Sequence, residues 1–331
     1  MLKQQQDVAR LKQRFTELLC ETLQLTEVQA PLMVPKDSGV QDNLSGTERA
    51  VAVHVKAEQR DYEIVHSLAK WKRSVLAHYG CQPGEGIVAQ MKAIRADEER
   101  LTERHSVLVE QWDWERVIQP AERSLDTLKA TVRDIYQALR ALHVQFSPEA
   151  GNDLASEVVF IHAEQLRRMF PQLSPKQREY EITKLHKAVF LIGIGGELAD
   201  GMPHDDRAAD YDDWSTQIEH PASGEHFAGL NGDLLVWHEP INDALELSSM
   251  GIRVNSSALE HQVALRKSYS LLQLPWHQQL LNGELPECIG GGIGQSRVAM
   301  WVLQLAHISA TQAPQLLWPQ QLNHNHQRAV A

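Results

Sequence analysis

Cysteine is scarce in this chain: three among 331 residues, Cys20, Cys81 and Cys288, none in CxxC spacing. An odd number without paired spacing suggests neither a disulfide framework nor a thiolate zinc centre. Long apolar runs are missing too. Nowhere do about 18 apolar residues follow one another without a charge, and the first residues, Met1-Leu-Lys-Gln-Gln-Gln-Asp7, have no apolar signal region. The expectation is a cytoplasmic protein with no membrane partner. Basic charge is in deficit, with 32 Lys and Arg against 43 Asp and Glu and a net charge of -11. That balance argues against a broad basic surface, so no nucleic-acid partner is expected, although a small local basic site is still allowed. The GxGxxG fingerprint and the P-loop pattern are both absent, so neither common nucleotide fold is indicated. No internal repeat interrupts the chain, and residues 146 to 154 form only a short linker. One domain spanning 1–331 is expected.

What is present is an ordinary globular composition, 43% apolar and 23% charged. Val8, Leu11, Phe15 and Leu18 recur at helical steps and predict a helix over 6–23. Leu125, Leu128, Val132, Ile135, Leu139 and Leu142 predict a longer one that serves packing. Ser174-Pro175 supplies an N-cap and a first-turn proline for a helix to about His186. Strands are predicted at 27–34, 51–55, 62–65, 87–94, 106–115, 158–161, 188–194, 234–237 and 244–252. Pro31 lies inside the first of these, which puts that strand at a sheet edge or a subunit contact unless Pro31 opens a loop. Helices separating hairpin-like strand pairs give an α+β fold rather than an alternating parallel one.

Several stretches carry chemistry. Gly290-Gly-Gly-Ile-Gly-Gln-Ser-Arg297 precedes an apolar helical run, so it is either a chain-reversing turn or a phosphate-facing arrangement with Arg297 in the first turn. Period-2 geometry puts Gln111, Asp113 and Glu115 on one strand face and Trp112 and Trp114 on the other. The polar row can grip a cation or a ribose, or it can be a solvated sheet face. The stretch from Asp200 to Asp213 reads as a solvated acidic loop. Arg95, Arg253 and Arg297 offer planar forks for phosphates and carboxylates. Asp233 and Glu246, on neighbouring predicted strands, suit a Mg²⁺ ion. Together these residues imply a nucleoside triphosphate. The tail Asn323-His-Asn-His326 reads as a frayed polar terminus.

The motifs Val28-Gln-Ala-Pro-Leu32, Gln41-Asp-Asn-Leu-Ser-Gly46, Val65-His-Ser-Leu-Ala-Lys-Trp-Lys-Arg73, Glu110-Gln-Trp-Asp-Trp-Glu115, Asp210-Tyr-Asp-Asp-Trp-Ser215, Gly229-Leu-Asn-Gly-Asp233, Glu246-Leu-Ser-Ser-Met-Gly-Ile-Arg253 and Gly290 to Arg297 resemble those of the aspartate-ammonia ligases. That family is similar to the catalytic core of class II aminoacyl-tRNA synthetases, so the resemblance implies a mainly antiparallel sheet flanked by helices. It covers nearly the whole chain and implies ATP-dependent amidation of L-aspartate with ammonia through β-aspartyl-AMP, with Mg²⁺, in a homodimer. By the same resemblance Pro31 belongs to the dimer-interface motif and Arg95 contacts the α-phosphate and the aspartyl carboxylate. Arg297 takes the triphosphate end of ATP, Gly292 and Gly294 pack against the adenine, and Asp233 and Glu246 lie on the metal side. Lys72, Gln111, Asp113, Asp212, Ser248 and Arg253 fall in the amino-acid pocket. Asp42 is the candidate to bind and deprotonate ammonium, with turn capping as its rival role. Glu197, Pro203 and a short insertion around 219–225 depart from the family pattern. A tRNA ligase, a non-catalytic paralogue and a glutamine-dependent amidotransferase are the competing readings. No added anticodon module or basic face is apparent, the ATP-site arginines and carboxylates are present, and position 2 is Leu rather than a nucleophilic cysteine.

Overall fold

The computed structural model describes residues 2–45, 48–98, 100–149, 154–219 and 224–313. The histidine-bearing tail, the centre of the 146–154 linker and most of the 219–225 insertion lie outside them. The helices are α1 (Leu2–Leu23), α2 (Ala69–Tyr79), α3 (Leu125–Phe146), α4 (Ala163–Met169), α5 (Pro175–His186), α6 (Ser256–Arg266), α7 (Pro275–Leu281) and α8 (Gln295–Val302). The main sheet is built from β1 (Leu25–Val28), β5 (Gly86–Ile94), β6 (Leu108–Val117), β7 (Val159–His162), β8 (Ala188–Ile192), β11 (Asn231–His238), β12 (Asp243–Ile252) and β13 (Cys288–Gly294). Its order is β1-β5-β6-β13-β12-β11-β8-β7. Pairing is antiparallel throughout the centre and parallel only at the two outer pairs. A small antiparallel sheet of β2 (Met33–Pro35), β3 (Ala52–Val55) and β4 (Arg60–Ile64) lies beside it, as does a hairpin of β9 (Gln217–Glu219) and β10 (His226–Ala228). The α+β expectation holds.

The two sheet faces do different work. One is apolar: Trp112, Trp114, Leu234, Leu245, Leu247, Met250 and Ile293 pack against the buried stripes of α1, α3 and α8. Phe15 meets Trp112 edge-on, with ring centroids 4.6 Å apart, and the Trp112 indole N–H donates to Thr16 at 2.9 Å. Satisfying that N–H is what lets so large a ring be buried. The opposite face carries the polar residues. Smaller apolar clusters, one of them under α2 and another under α4, close its flanks. α5 begins with the expected cap, Ser174 Oγ accepting from the Gln177 N–H at 3.4 Å.

Three expectations need correction. The predicted strand at 27–34 is two strands, β1 ending at Val28 and β2 beginning at Met33, with Pro31 in the irregular segment between. A backbone with no N–H at Pro31 cannot continue the ladder. β1 is nevertheless the sheet edge. The glycine stretch is no turn: Gly290 to Gly294 lie in a central strand, paired with β6 on one side and β12 on the other. The row Gln111, Asp113, Glu115 is no solvated face, because Asp113 and Glu115 are buried.

Candidate functional site

Register brings the site together. Asp233 lies opposite Ser249, Ser249 opposite Gly292, and Gly292 opposite Asp113. Residues directly opposed across a ladder share a face, so these four strands present one polar row. Between Leu234 and Leu235 the β11–β12 register slips, leaving Leu247 as an extra residue in β12. Without that bulge Glu246 would point into the apolar core, since side chains alternate along a strand. With it, Glu246 pairs with Leu235 and joins the face of Asp233. The glycines serve the same face. A Cβ on Gly290 would run into the Glu115 carboxylate, and one on Gly292 would stand 2.6 Å from Gln111 Oε1.

Over this row opens a cavity of about 310 Å³. Its walls include Arg95, Gln111, Glu246, Ser248, Gly292, Gly294 and Arg297. Arg95, just past the end of β5, forms no side-chain hydrogen bond or ion pair with any described residue, and its Nε is buried without a partner. Burial, then the neighbouring Arg297, push its pKa below the usual guanidinium range. Two mutually repelling guanidiniums with unused donors are an anion site in waiting. Arg297, in the first turn of α8, donates through Nη1 to the Glu246 carbonyl at 3.1 Å and through Nε to the Arg104 carbonyl at 3.4 Å. Its Nη1 stands 3.6 Å from Glu246 Oε1. Burial would raise the Glu246 carboxyl, but Arg297, Lys176, Arg207 and Arg95 hold it below the ordinary range.

Lys72, Asp113, Asp212, Arg253, Asp42 and Asp233, expected in the site as well, are not among the residues that line this cavity. Lys72, fully buried on α2, donates to Asp113, to the Trp114 carbonyl at 2.8 Å and to the Gly291 carbonyl at 3.2 Å, with Glu115 3.5 Å away. Arg253 clamps Glu115 with Nε and Nη2, at 2.9 and 2.8 Å, and pairs with Asp212 through Nη1. Burial would raise the Glu115 carboxyl; Arg253 and Lys72 bring it below its usual value. Burial raises Asp212 in spite of Arg253. Two cations thus face three carboxylates in a buried network whose formal charge is negative. The Ser248 hydroxyl donates to the Gly292 carbonyl at 3.0 Å. Asp42 is buried too; it accepts from the Leu44 N–H at 2.9 Å and from Ser67 Oγ. Those bonds are the turn-capping role, yet its charge reaches Arg95 and Tyr211 in the cavity wall.

Asp233 accepts from Arg207 Nη2 on both oxygens, at 2.9 and 2.7 Å. Burial pushes this carboxyl up, Arg207 opposes, and Glu246 adds to the rise. The expectation of a solvated acidic loop at 200–213 fails for its last three carboxylates and for His204. Asp210, Asp212 and Asp213 are buried, as is His204. Each carboxylate has a cationic partner from another element: Lys70 for Asp210 at 2.6 Å, Arg253 for Asp212, and Arg123 for Asp213 at 2.7 Å. Buried charge is tolerable only when paired in this way. Three groups escaped the sequence reading: Arg207 and Tyr211 in the cavity wall, and Glu115 as the anchor of Arg253. The one signal for Arg207 was a lone arginine inside an acid-rich stretch.

A divalent cation fits this donor set in one way. No cluster of three or more His, Cys, Asp or Glu occurs among the described residues at metal-binding separation. Asp233 and Glu246, two hard oxygen donors on one face, match the habit of Mg²⁺, which takes one or two carboxylates and completes its shell with water and phosphate.

The fold is that of the class II aminoacyl-tRNA synthetases. An asparaginyl-tRNA synthetase from Pyrococcus horikoshii, complexed with asparaginyl-adenylate, superposes with a TM-score of 0.66 at 14% identity, over 94% of this chain and 68% of that one. The asparaginyl-tRNA synthetase of Entamoeba histolytica, also with asparaginyl-adenylate, gives 0.63 at 14% identity, over 93% of this chain and 66% of the other. The aspartyl-tRNA synthetase of the same organism gives 0.60 at 14% identity, over 92% and 57%. The chain therefore spans about two thirds or less of these proteins. Within that fold its sequence is more specific: the profile of the aspartate-ammonia ligases matches residues 2–330, and the chain belongs to that family of ligases.

Proposed function

We propose that this protein joins ammonia to L-aspartate in two steps at the cavity, at the expense of ATP. In the first, a side-chain carboxylate oxygen of aspartate attacks the α-phosphorus of ATP. The bond to the bridging oxygen breaks, pyrophosphate leaves and β-aspartyl-AMP forms. In the second, ammonia attacks the activated carbonyl carbon, the nitrogen gives up a proton to the departing AMP or to water, the bond to AMP breaks, and asparagine and AMP depart. The observation that carries this reading is Arg95, a partly buried guanidinium facing the cavity with no partner among the described residues, opposite the arginine at the start of α8.

Arg95 holds the α-phosphate and the attacking carboxylate, and Arg297 the triphosphate end. Their charges stabilise negative charge that grows during transfer, usually the largest source of rate acceleration in such reactions. Gly292 and Gly294 leave room for the adenine ring against the strand. Lys72, Gln111, Asp113, Asp212, Ser248 and Arg253 form and brace the amino-acid pocket. Its buried excess of carboxylate suits the α-ammonium of aspartate. Asp233 and Glu246 hold Mg²⁺, which when bound neutralises phosphate charge and orients the pyrophosphate leaving group. Asp42 takes the proton of ammonium before attack. In this reading residues 1–331 form one catalytic domain, the molecule is a cytoplasmic homodimer, and neither nucleic acid nor membrane is a partner.

Incubation with aspartate, MgATP and ammonium tests the whole scheme: asparagine, AMP and pyrophosphate are expected in equal amounts. ADP as product, a requirement for glutamine, or aspartyl transfer to tRNA would each overturn it.

A further inference from the structure

Arg207 belongs to none of the recognised motifs, yet it occupies the oxygens that the proposed metal would need. Its Nη2 bridges both oxygens of Asp233, at 2.9 and 2.7 Å, while Nη1 donates to the Asp206 carbonyl at 2.9 Å. The main chain around it is fixed. A Cβ on Gly195 would stand 2.8 Å from the Arg207 Cβ, so the two backbones are in close approach. One residue on, the Ala208 N–H donates to the Leu44 carbonyl at 2.8 Å. Farther along, Asp210 is buried and held by Lys70 at 2.6 Å and by His277 Nε2 at 2.8 Å. The loop backbone is thus held from several sides, so a change of partner at Asp233 falls to the side chain, whose Nη1 also has Asp205 Oδ2 at 3.7 Å.

A divalent cation of the size of Mg²⁺ binds carboxylate oxygen at roughly 2.0 to 2.1 Å. A guanidinium already bridging both oxygens competes with it, by its charge and by the lone pairs it occupies. Arg207 also lines the cavity that the phosphates would enter. A guanidinium displaced from Asp233 needs new oxygen acceptors, and phosphate supplies them in matching geometry. We infer that Arg207 is a place-holder for the divalent cation: it neutralises Asp233 before metal–nucleotide enters, yields the carboxylate to the metal, and then pairs with phosphate oxygens. The inference rests on Asp233 and Glu246 being the metal ligands. It implies that free metal binds poorly and that metal and nucleotide bind together.

The test is Mn²⁺ binding, followed by electron paramagnetic resonance, with and without a non-hydrolysable ATP analogue. Wild type should bind Mn²⁺ weakly alone and tightly with the analogue. Arg207→Met should bind Mn²⁺ alone about tenfold more tightly and the Mn²⁺–analogue complex about tenfold less tightly, the effects of removing a competing charge and a phosphate partner. Arg207→Gln, which can still hydrogen-bond Asp233, decides the matter should the Met variant fail to fold. No gain in Mn²⁺ affinity without nucleotide in a folded variant overturns the place-holder role. Tighter binding of the complex overturns the transfer to phosphate. Asp233→Asn and Glu246→Gln separate the two levels: if neither weakens Mn²⁺–analogue binding, it is the metal-site reading that fails.

Discussion

Gly290 stands where strand pairing and charge pairing compete for one volume. The ladder requires a residue there, opposite Glu115, and the Glu115 carboxylate with Arg253 Nη2 fills the space a side chain would take. Gly290→Ala should therefore cost about 3 kcal/mol or more, the range for overpacking that also disturbs a buried ion pair. Urea unfolding measures it, and a loss under about 1 kcal/mol would mean that the network adapts. Arg297 is a different case, since its charge faces the cavity. Arg297→Ala should lower aspartate-dependent exchange of pyrophosphate into ATP by roughly 100-fold or more, as loss of one charge-stabilising donor does; retained exchange refutes its role. Asp42→Asn should spare that exchange and reduce asparagine formation, by about 100-fold if it acts as general base. Equal losses in both steps would leave Asp42 a turn cap, the role its bonds to Leu44 and Ser67 already explain. At this scale the sequence named residues better than surroundings. Arg95 and Arg297 could be singled out by type and motif, whereas the burial of Lys72, Asp113 and Glu115 depends on α2 crossing the sheet, which no local pattern encodes.

Elements place these residues, and one bulge does most to put the carboxylates on a common face. Leu247 interrupts the alternation of β12, so Leu245 and Leu247 stay in the core while Glu246 and Ser249 face the site. The strand was legible from its apolar residues, but the bulge was not, because a two-for-one pairing is a property of both strands. The long helices were legible for the opposite reason, their stripes being written within one segment. The α3–α8 contact that closes the core has a titratable seam. His143 on α3 meets Trp301 on α8 edge-on, centroids 4.5 Å apart, and burial lowers its pKa to about 4. A histidine depressed in the folded state binds fewer protons there than when unfolded. Its contribution is intact above its unfolded value of about 6.5 and is lost as pH falls towards 4, up to about 3 kcal/mol. Acid unfolding of wild type and His143→Gln should therefore diverge in slope between about pH 6.5 and 4, with the variant less pH-sensitive. Parallel curves would mean that this seam takes no part in acid unfolding.

For the whole molecule, the open question raised by the sheet is its edge. The order begins with β1, a four-residue strand whose outer side has no partner among the described residues. An unpaired edge of this kind is an invitation to association unless something covers it. The chain then passes through Pro31 to Leu32 and Met33, both exposed, with 59% of Leu32 accessible. Apolar side chains beside a free strand edge fit a second copy of the same surface, since closed two-fold pairing buries one patch against itself. The proposed homodimer would use this edge, whose residues 25–33 do not line the cavity that Arg95 and Arg297 face. Sedimentation equilibrium at micromolar concentration should then give twice the 37.4 kDa chain mass. Leu32→Asp should weaken the dimer by about tenfold or more, the penalty for an unpaired charge in an interface core. A wild-type monomer under these conditions removes the homodimer from the scheme. A dimer indifferent to Leu32→Asp moves it to another surface, and the covering of β1 would then fall to a segment of this chain.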